Sequence, residues 1–129
     1  MKRPEQHVRN VFSLPKELTT AHGGQGKIEF CRPFQIHELD SALAFVDYVE
    51  LQPGTSIGLH RHAEDEEIYF LIAGSGVMTL NGESFDVKAG DLIRNPPGGE
   101  HSFLACGDSV SRILVFDVAQ DRASRSEHA

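Results

Sequence analysis

Four residues between positions 60 and 101 have the types and the spacing of metal ligands. His60 and His62 are separated by one residue, so on a β-strand both imidazoles leave the same face. Glu67 opens the next apolar run, and His101 follows the turn Pro96-Pro97-Gly98-Gly99. Three imidazoles and one carboxylate suit Fe, Mn, Ni, Cu or Zn, whereas Ca and Mg prefer oxygen ligands. The pattern therefore predicts one divalent transition metal ion on these four side chains.

The residues around Glu67 have other expected roles. Glu64, Asp65 and Glu66 form an acidic loop, for which a solvated position is expected. Glu66 would replace Glu67 as a ligand only if the register slipped by one residue. Tyr69 is the candidate catalytic residue, and a simple core aromatic is the alternative, because a small barrel has to fill its interior.

Three further positions leave alternatives open. His22 precedes Gly23-Gly24 and belongs either to the site or to a structural loop. Arg94 and Asn95 could supply polar contacts at the mouth of the site, but the sequence does not fix the direction of their side chains. The remaining histidines have no partner spacing and are expected on the surface: His7, His37 and His128.

Short apolar runs at regular intervals must position these residues. The predicted strands are 27–34, 44–51, 56–62, 67–72, 76–80, 83–87, 91–94, 101–105 and 112–118. Asn81-Gly82 predicts a hairpin, because both central residues of a type I′ turn need a positive φ. Only residues 36–44 could hold a helical turn. Strands at this spacing predict an all-β antiparallel sandwich or barrel.

Length and composition limit the class of protein. The 129 residues fit one domain, and no run approaches the 18 or so apolar residues of a membrane span. The net charge of -7 argues against nucleic acid as a partner. Without a secretory signal in the first residues, a cytoplasmic protein is expected. Cys31 and Cys106 are too few for a disulfide framework and are expected to be reduced and buried.

Two sequence motifs resemble those of the cupin superfamily. The run Gly54-x5-His60-x-His62-x4-Glu67-x6-Gly74 of this sequence resembles the first cupin motif. The run Gly90-x5-Pro96-x-Gly98-x2-His101-x3 resembles the second cupin motif, except that Ala105 stands where that motif usually closes with Asn. Nine of the ten signature positions are met, with 15 residues between the motifs, a spacing like that of small single-domain bacterial cupins.

The resemblance implies an antiparallel jelly-roll barrel over residues 22–118. Prolines and charges without a sustained period indicate an N-terminal arm at 1–21, and the polar residues after Val118 indicate a flexible tail at 119–129. The resemblance also implies that His60, His62, Glu67 and His101 are the ligands of a functional metal centre. Ala105 puts local hydrogen bonding in doubt and leaves ligation intact.

The resemblance implies two classes of function. One is a metal-dependent enzyme acting on a small oxygenated substrate, such as a carboxylate, diketone or sugar, by a dioxygenase, decarboxylase, lyase or isomerase reaction. The other is a non-catalytic module that binds a small molecule and uses the metal as its anchor. Nothing in the sequence chooses between them.

Strand alternation leads to an expectation about assembly. If Glu67 faces the lumen, Ile68, Phe70 and Ile72 face outward, and this outer stripe is too apolar for solvent. A homodimer is therefore expected, in which residues 26–34 pair with the edge of a neighbour's sheet. The competing view is that this segment folds back on its own barrel and leaves a monomer.

Overall fold

Ten β-strands make up about half of the computed structural model, which describes residues 1–128. They are β1 (Glu17–Thr19), β2 (Ile28–Phe34), β3 (Leu43–Leu51), β4 (Ser56–Arg61), β5 (Glu66–Ala73), β6 (Ser75–Leu80), β7 (Glu83–Lys88), β8 (Leu92–Asn95), β9 (Glu100–Cys106) and β10 (Ser111–Val118). Single 3₁₀ turns lie at Ile36–Glu38 and Arg125–Glu127. Within residues 1–128, no helix is long and apolar enough to cross a membrane. The predicted all-β class is confirmed.

The strands form two antiparallel sheets that face each other. One sheet has the order β1-β2-β3-β10-β5-β8, and the other has the order β4-β9-β6-β7. Each sheet also pairs strands that are distant in sequence, as in the pairing of β10 with both β3 and β5. The predicted antiparallel jelly roll is confirmed.

The core lies between the two sheets, where strand alternation places it. On β5, Glu67, Tyr69 and Leu71 are buried, while the outer stripe of Ile68, Phe70 and Ile72 is only half-buried. The main apolar contributions from the opposite sheet are Ile57, Met78, Phe103 and Ala105. The predicted orientation of β5 is therefore confirmed, and Glu67 is placed inside the barrel.

Two glycine positions show how the backbone permits this packing. Asn81 and Gly82 have φ values of 50° and 82°, as the predicted hairpin between β6 and β7 requires. Gly76 lies against Phe103, and an ideal Cβ on Gly76 would come within 2.5 Å of a ring carbon. Only a residue without a side chain allows β6 and the Phe103 ring to pack this closely.

The N-terminal segment packs on the outer face of the larger sheet. Phe12 contacts Tyr48 edge-on, with 5.8 Å between ring centroids. β2 pairs with β3 along its length and with β1 over residues 28–30. The expectation that residues 26–34 pair with a neighbouring subunit is wrong, because this strand completes its own sheet. The homodimer itself and the division into arm, barrel and tail stay predictions.

Two features at the edges of the barrel differ from simple expectation. Cys31 is buried, but Cys106 is only half-buried because it lies at the end of β9. The expectation that both thiols are buried is therefore wrong for Cys106. Beyond β10, Arg125 is buried and donates hydrogen bonds to the carbonyl oxygens of Leu39 and Ser41 at 2.6 and 3.0 Å.

Candidate metal centre

The four predicted ligands meet between the two sheets. His60 lies on β4 and His101 on β9, and the two residues are direct partners in the β4–β9 register. Glu67 reaches the same point from β5 of the opposite sheet, and His62 follows the last residue of β4. One donor atom from each of these residues lies within 4.8 Å of the other three. The structure thus brings together a set of side chains that could hold a metal ion.

The distances within the cluster converge on one carboxylate oxygen. Glu67 Oε1 lies 3.1 Å from His101 Nε2 and 3.3 Å from His62 Nε2. The rings of His62 and His101 are stacked, with centroids 4.8 Å apart and planes 13° from parallel. His101 is fully buried and Glu67 is 3% exposed, so these donor atoms are shielded from bulk water.

Hydrogen bonds on the far side of two rings fit metal binding. His60 Nδ1–H donates to the carbonyl oxygen of Gly58 at 2.8 Å, which leaves Nε2 with a free lone pair in the neutral ring. His62 Nδ1–H donates to Asp65 Oδ2 at 2.5 Å, with the same consequence for its Nε2. Metal-ligating histidines commonly have such a partner, because it fixes the tautomer and the ring orientation. The residues therefore fit a bound transition metal ion.

The charge state of the metal-free cluster follows from its burial and its contacts. Burial lowers the pKa of His60 to about 4, so this ring is neutral near pH 7. Burial also disfavours the charged form of His62, but hydrogen bonds to Glu67 and Asp65 outweigh it and raise its pKa to about 9. Burial would raise the pKa of Glu67, but hydrogen bonds from His101 and His62 lower it to about 2. A pKa of about 9 means that the His62 ring carries the extra proton near pH 7.

Asp65 is a site residue that the sequence analysis placed wrongly. It was expected in a solvated loop but is 2% exposed, because Asp65, Glu67 and Tyr69 alternate on the inward face of β5 and its preceding residue. The sequence signal for its inward position was its spacing of two residues from Glu67, because residues two apart on a strand face the same side. Asp117, fully buried on β10, lies beside Asp65, and burial together with that neighbouring carboxyl raises the pKa of Asp117. The pair therefore holds one negative charge beside His62.

The other predicted positions have distinct surroundings. Tyr69 is buried and contacts the His101 ring edge-on at 5.3 Å. Burial and the Glu67 carboxylate raise the pKa of Tyr69 well above its usual range, so it stays a neutral phenol. Arg94 lies at the surface and pairs with Glu66 at 2.7 Å. Neither Arg94 nor Glu66 reaches the cluster.

Asn95 and two of the histidines complete the surroundings of the site. Asn95 is 1% exposed and pairs in register with Glu67. His128, expected at the surface, has a side chain only 12% exposed, and its Nδ1 lies 3.4 Å from Asp65 Oδ1. The ring of His22 stacks on His60, with centroids 3.7 Å apart and planes 10° from parallel. The structure therefore places the ring of His22 at the cluster.

A cavity beside the cluster offers space for a small molecule. Its volume is about 230 Å³, and its walls include His60, Glu67 and Tyr69 as well as the apolar side chains of Ile57 and Val115. A second cavity of about 560 Å³ adjoins the same cluster. The two cavities share five lining residues: His22, Arg32, Phe45, Asp47 and Glu67.

Known proteins similar to this chain agree with the architecture. The sequence profile described as "Cupin domain" matches residues 47–117, more than half of the chain. The oxalate-binding protein of Thermotoga maritima is 30% identical over 108 residues, which make up 84% of this chain and 89% of that protein. Oxalate decarboxylase of Bacillus subtilis is 34% identical over 121 residues, which span 88% of this chain and 31% of that protein. 

A solved structure extends the likeness to three dimensions. The crystal structure of a predicted oxalate decarboxylase from Thermotoga maritima superposes with a TM-score of 0.81 at 28% identity. The superposition covers 87% of this chain and 98% of that one. With the profile match and the two-sheet barrel, these likenesses show that the chain belongs to the cupin family.

Proposed function

We propose that the protein binds one divalent transition metal ion and uses it to anchor a small carboxylate in the lumen. His60, His62, Glu67 and His101 hold the ion in this proposal. The observation that carries it is the convergence of four donor atoms within 4.8 Å, beside a cavity of small-molecule size. Oxalate is the first ligand to test, because two relatives with 30% and 34% identity are named for it.

The donor set leaves room for a ligand on the ion. The bound ion would act as a Lewis acid toward the oxygens of the carboxylate. His60 and His62 each direct one nitrogen to the ion because Gly58 and Asp65 accept from the other. The apolar side chains in the cavity wall, such as Ile57 and Val115, would lower the local dielectric constant and so strengthen the attraction between a bound ion and an anion.

Arg32 supports the choice of an anionic ligand. Within residues 1–128, it is the one guanidinium that lines both cavities. Its Nε and Nη2 donate to Asp47 at 2.7 and 3.0 Å, and its guanidinium lies 4.4 Å from the Phe45 ring centroid. This anchoring holds the group still while Nη1 is left to donate to a ligand. Arg32 would therefore bind the end of the carboxylate that points away from the ion.

Calorimetry of oxalate binding tests the proposal. Oxalate should bind the Ni²⁺-loaded protein and should not bind the metal-free protein or the His60→Ala/His62→Ala double variant. The control variant is Arg94→Ala, since Arg94 is exposed, pairs with Glu66 at the surface and lines neither cavity. Equal oxalate affinity in the loaded and metal-free proteins would refute a metal-anchored site.

A carboxylate-cleaving or oxygen-dependent enzyme is the second candidate. Tyr69 favours it, because a neutral phenol beside the cluster can hydrogen-bond to a bound substrate. Turnover of oxalate, monitored as release of CO₂ with and without O₂ for each metal, separates the two. Product formation that is lost in Tyr69→Phe would favour the enzyme, and tight binding without product would favour the binding module.

A further inference from the structure

The loop that carries His22 is fixed to β4 by backbone contacts. Gly58 N donates to Ala21 O at 3.0 Å, and Ser56 N donates to Gln25 O at the same distance. Gln25 N also donates to the Ser56 hydroxyl at 2.7 Å. These bonds hold the chain to β4 both before His22, at Ala21, and after it, at Gln25. The backbone of His22 is therefore positioned by β4.

The loop and the strand approach each other so closely that only glycine fits at the contact. A Cβ on Gly58 would overlap the carbonyl oxygen of His22, and a Cβ on Gly24 would overlap that of Ser56. His22 itself has a φ of 50°, a left-handed conformation that a non-glycine residue adopts rarely. Such strain persists where the surrounding structure enforces it, often at a functional site.

This backbone arrangement aims the His22 ring at the candidate metal centre. The ring covers one face of the His60 imidazole and lines both cavities, together with Arg32 and Glu67. The side chain lies at the exposed mouth of the site. Within residues 1–128, no side chain or carbonyl forms a hydrogen bond with its ring nitrogens. Its hydrogen-bonding capacity is therefore available to a molecule in the cavity.

We propose that His22 is a ligand-contacting residue, whose ring donates a hydrogen bond to an oxygen of the carboxylate bound at the mouth of the lumen. This inference rests on the proposed carboxylate-binding function. It assigns to the N-terminal loop a direct role in recognition, since His22, like Arg32, lines both cavities. His22 does not belong to the group of four donor atoms that lie within 4.8 Å of one another.

Two substitutions separate hydrogen bonding from stacking. His22→Phe keeps an aromatic ring over His60 but removes both nitrogens. His22→Gly accepts the left-handed conformation and removes the ring with both its nitrogens, which provides a second test if the Phe variant folds poorly. His37→Phe is the matched control, because His37 is exposed and lines neither cavity.

Affinities for Ni²⁺ and then for oxalate are measured by calorimetry on each protein. We expect His22→Phe and His22→Gly to bind Ni²⁺ within about threefold of the parent and oxalate at least about tenfold more weakly, the loss typical of a hydrogen bond to a charged group. His37→Phe should match the parent in both measurements.

The contrary results point to different failures. Oxalate affinity equal to the parent's in His22→Phe, or in His22→Gly if the Phe variant is unfolded, would refute the contact. A loss of Ni²⁺ affinity as large as the loss of oxalate affinity would also refute it, because His22 would then act only through His60. Failure of the loaded parent to bind oxalate would refute the proposed function, and this inference with it.

Discussion

Metal binding should release one proton from the site near neutral pH. The pKa of His62 is raised to about 9, whereas that of Glu67 is lowered to about 2 and that of His60 to about 4. At pH 7.5 roughly 97% of His62 would be protonated in the metal-free protein, as follows from a pKa of about 9. The ion needs a neutral imidazole, so it must displace this proton.

The sign and size of the pH effect follow directly. Because the proton competes with the metal below pH 9, affinity should weaken as the pH falls and should change about tenfold per pH unit. Between pH 6 and 8 the change is about 100-fold, or about 2.7 kcal/mol. For an unperturbed histidine, with a pKa of about 6.5, the affinity would instead become nearly independent of pH above about 7.5.

Calorimetry of Ni²⁺ binding in buffers with different ionisation enthalpies measures the released protons. At pH 7 the expected value is about one proton per ion. In His62→Ala, any residual Ni²⁺ binding should release no proton, because this variant lacks the imidazole from which the proton is released. Release of no proton by the parent would refute the assigned charge state of His62. A Ni²⁺ affinity that does not change between pH 6 and 8 would refute it as well.

The other predictions concern the surroundings of the cluster, the packing and the assembly. Asp65→Asn should lower the pKa of His62 in the metal-free protein, because a charged hydrogen-bond acceptor is lost. Glu64→Gln, a matched change at an exposed position, should leave that pKa unaltered. NMR titration of the His62 ring measures both, and equal pKa values in the two variants would contradict the role of Asp65. Gly76→Ala should lower the free energy of unfolding by about 1–3 kcal/mol, since its Cβ would overlap Phe103, and an unchanged melting temperature would argue against this packing. The half-buried outer stripe favours a homodimer, so light scattering should give about twice 14.2 kDa, and a mass near 14.2 kDa would reject the dimer.

The fold and the cluster could be predicted because their signals are local. Alternating short strands and an Asn-Gly turn encode the sheets within a few residues. The shared face of His60 and His62 follows from the two-residue period of a strand. Glu67 and His101 needed the family's motif spacing, since nothing local indicates that two distant strands meet at one point.

The rest depends on contacts between segments far apart in sequence. Asp65 sits in a run of acidic residues, which usually indicates solvent, and its even spacing from Glu67 does not reveal that it lies beside Asp117, about 50 residues later. His22 reaches the site only because Gly24 and Gly58 allow a loop and a strand to approach closely. Single-sequence patterns do not report such approaches.

Metal content of the purified protein tests the central claim most directly. Elemental analysis of the parent should find one transition metal ion per chain, bound by His60, His62, Glu67 and His101. The His60→Ala/His62→Ala variant should contain none while keeping the parent's circular dichroism spectrum, because neither residue belongs to the apolar core. Equal metal content in the two proteins would contradict the assignment of the site.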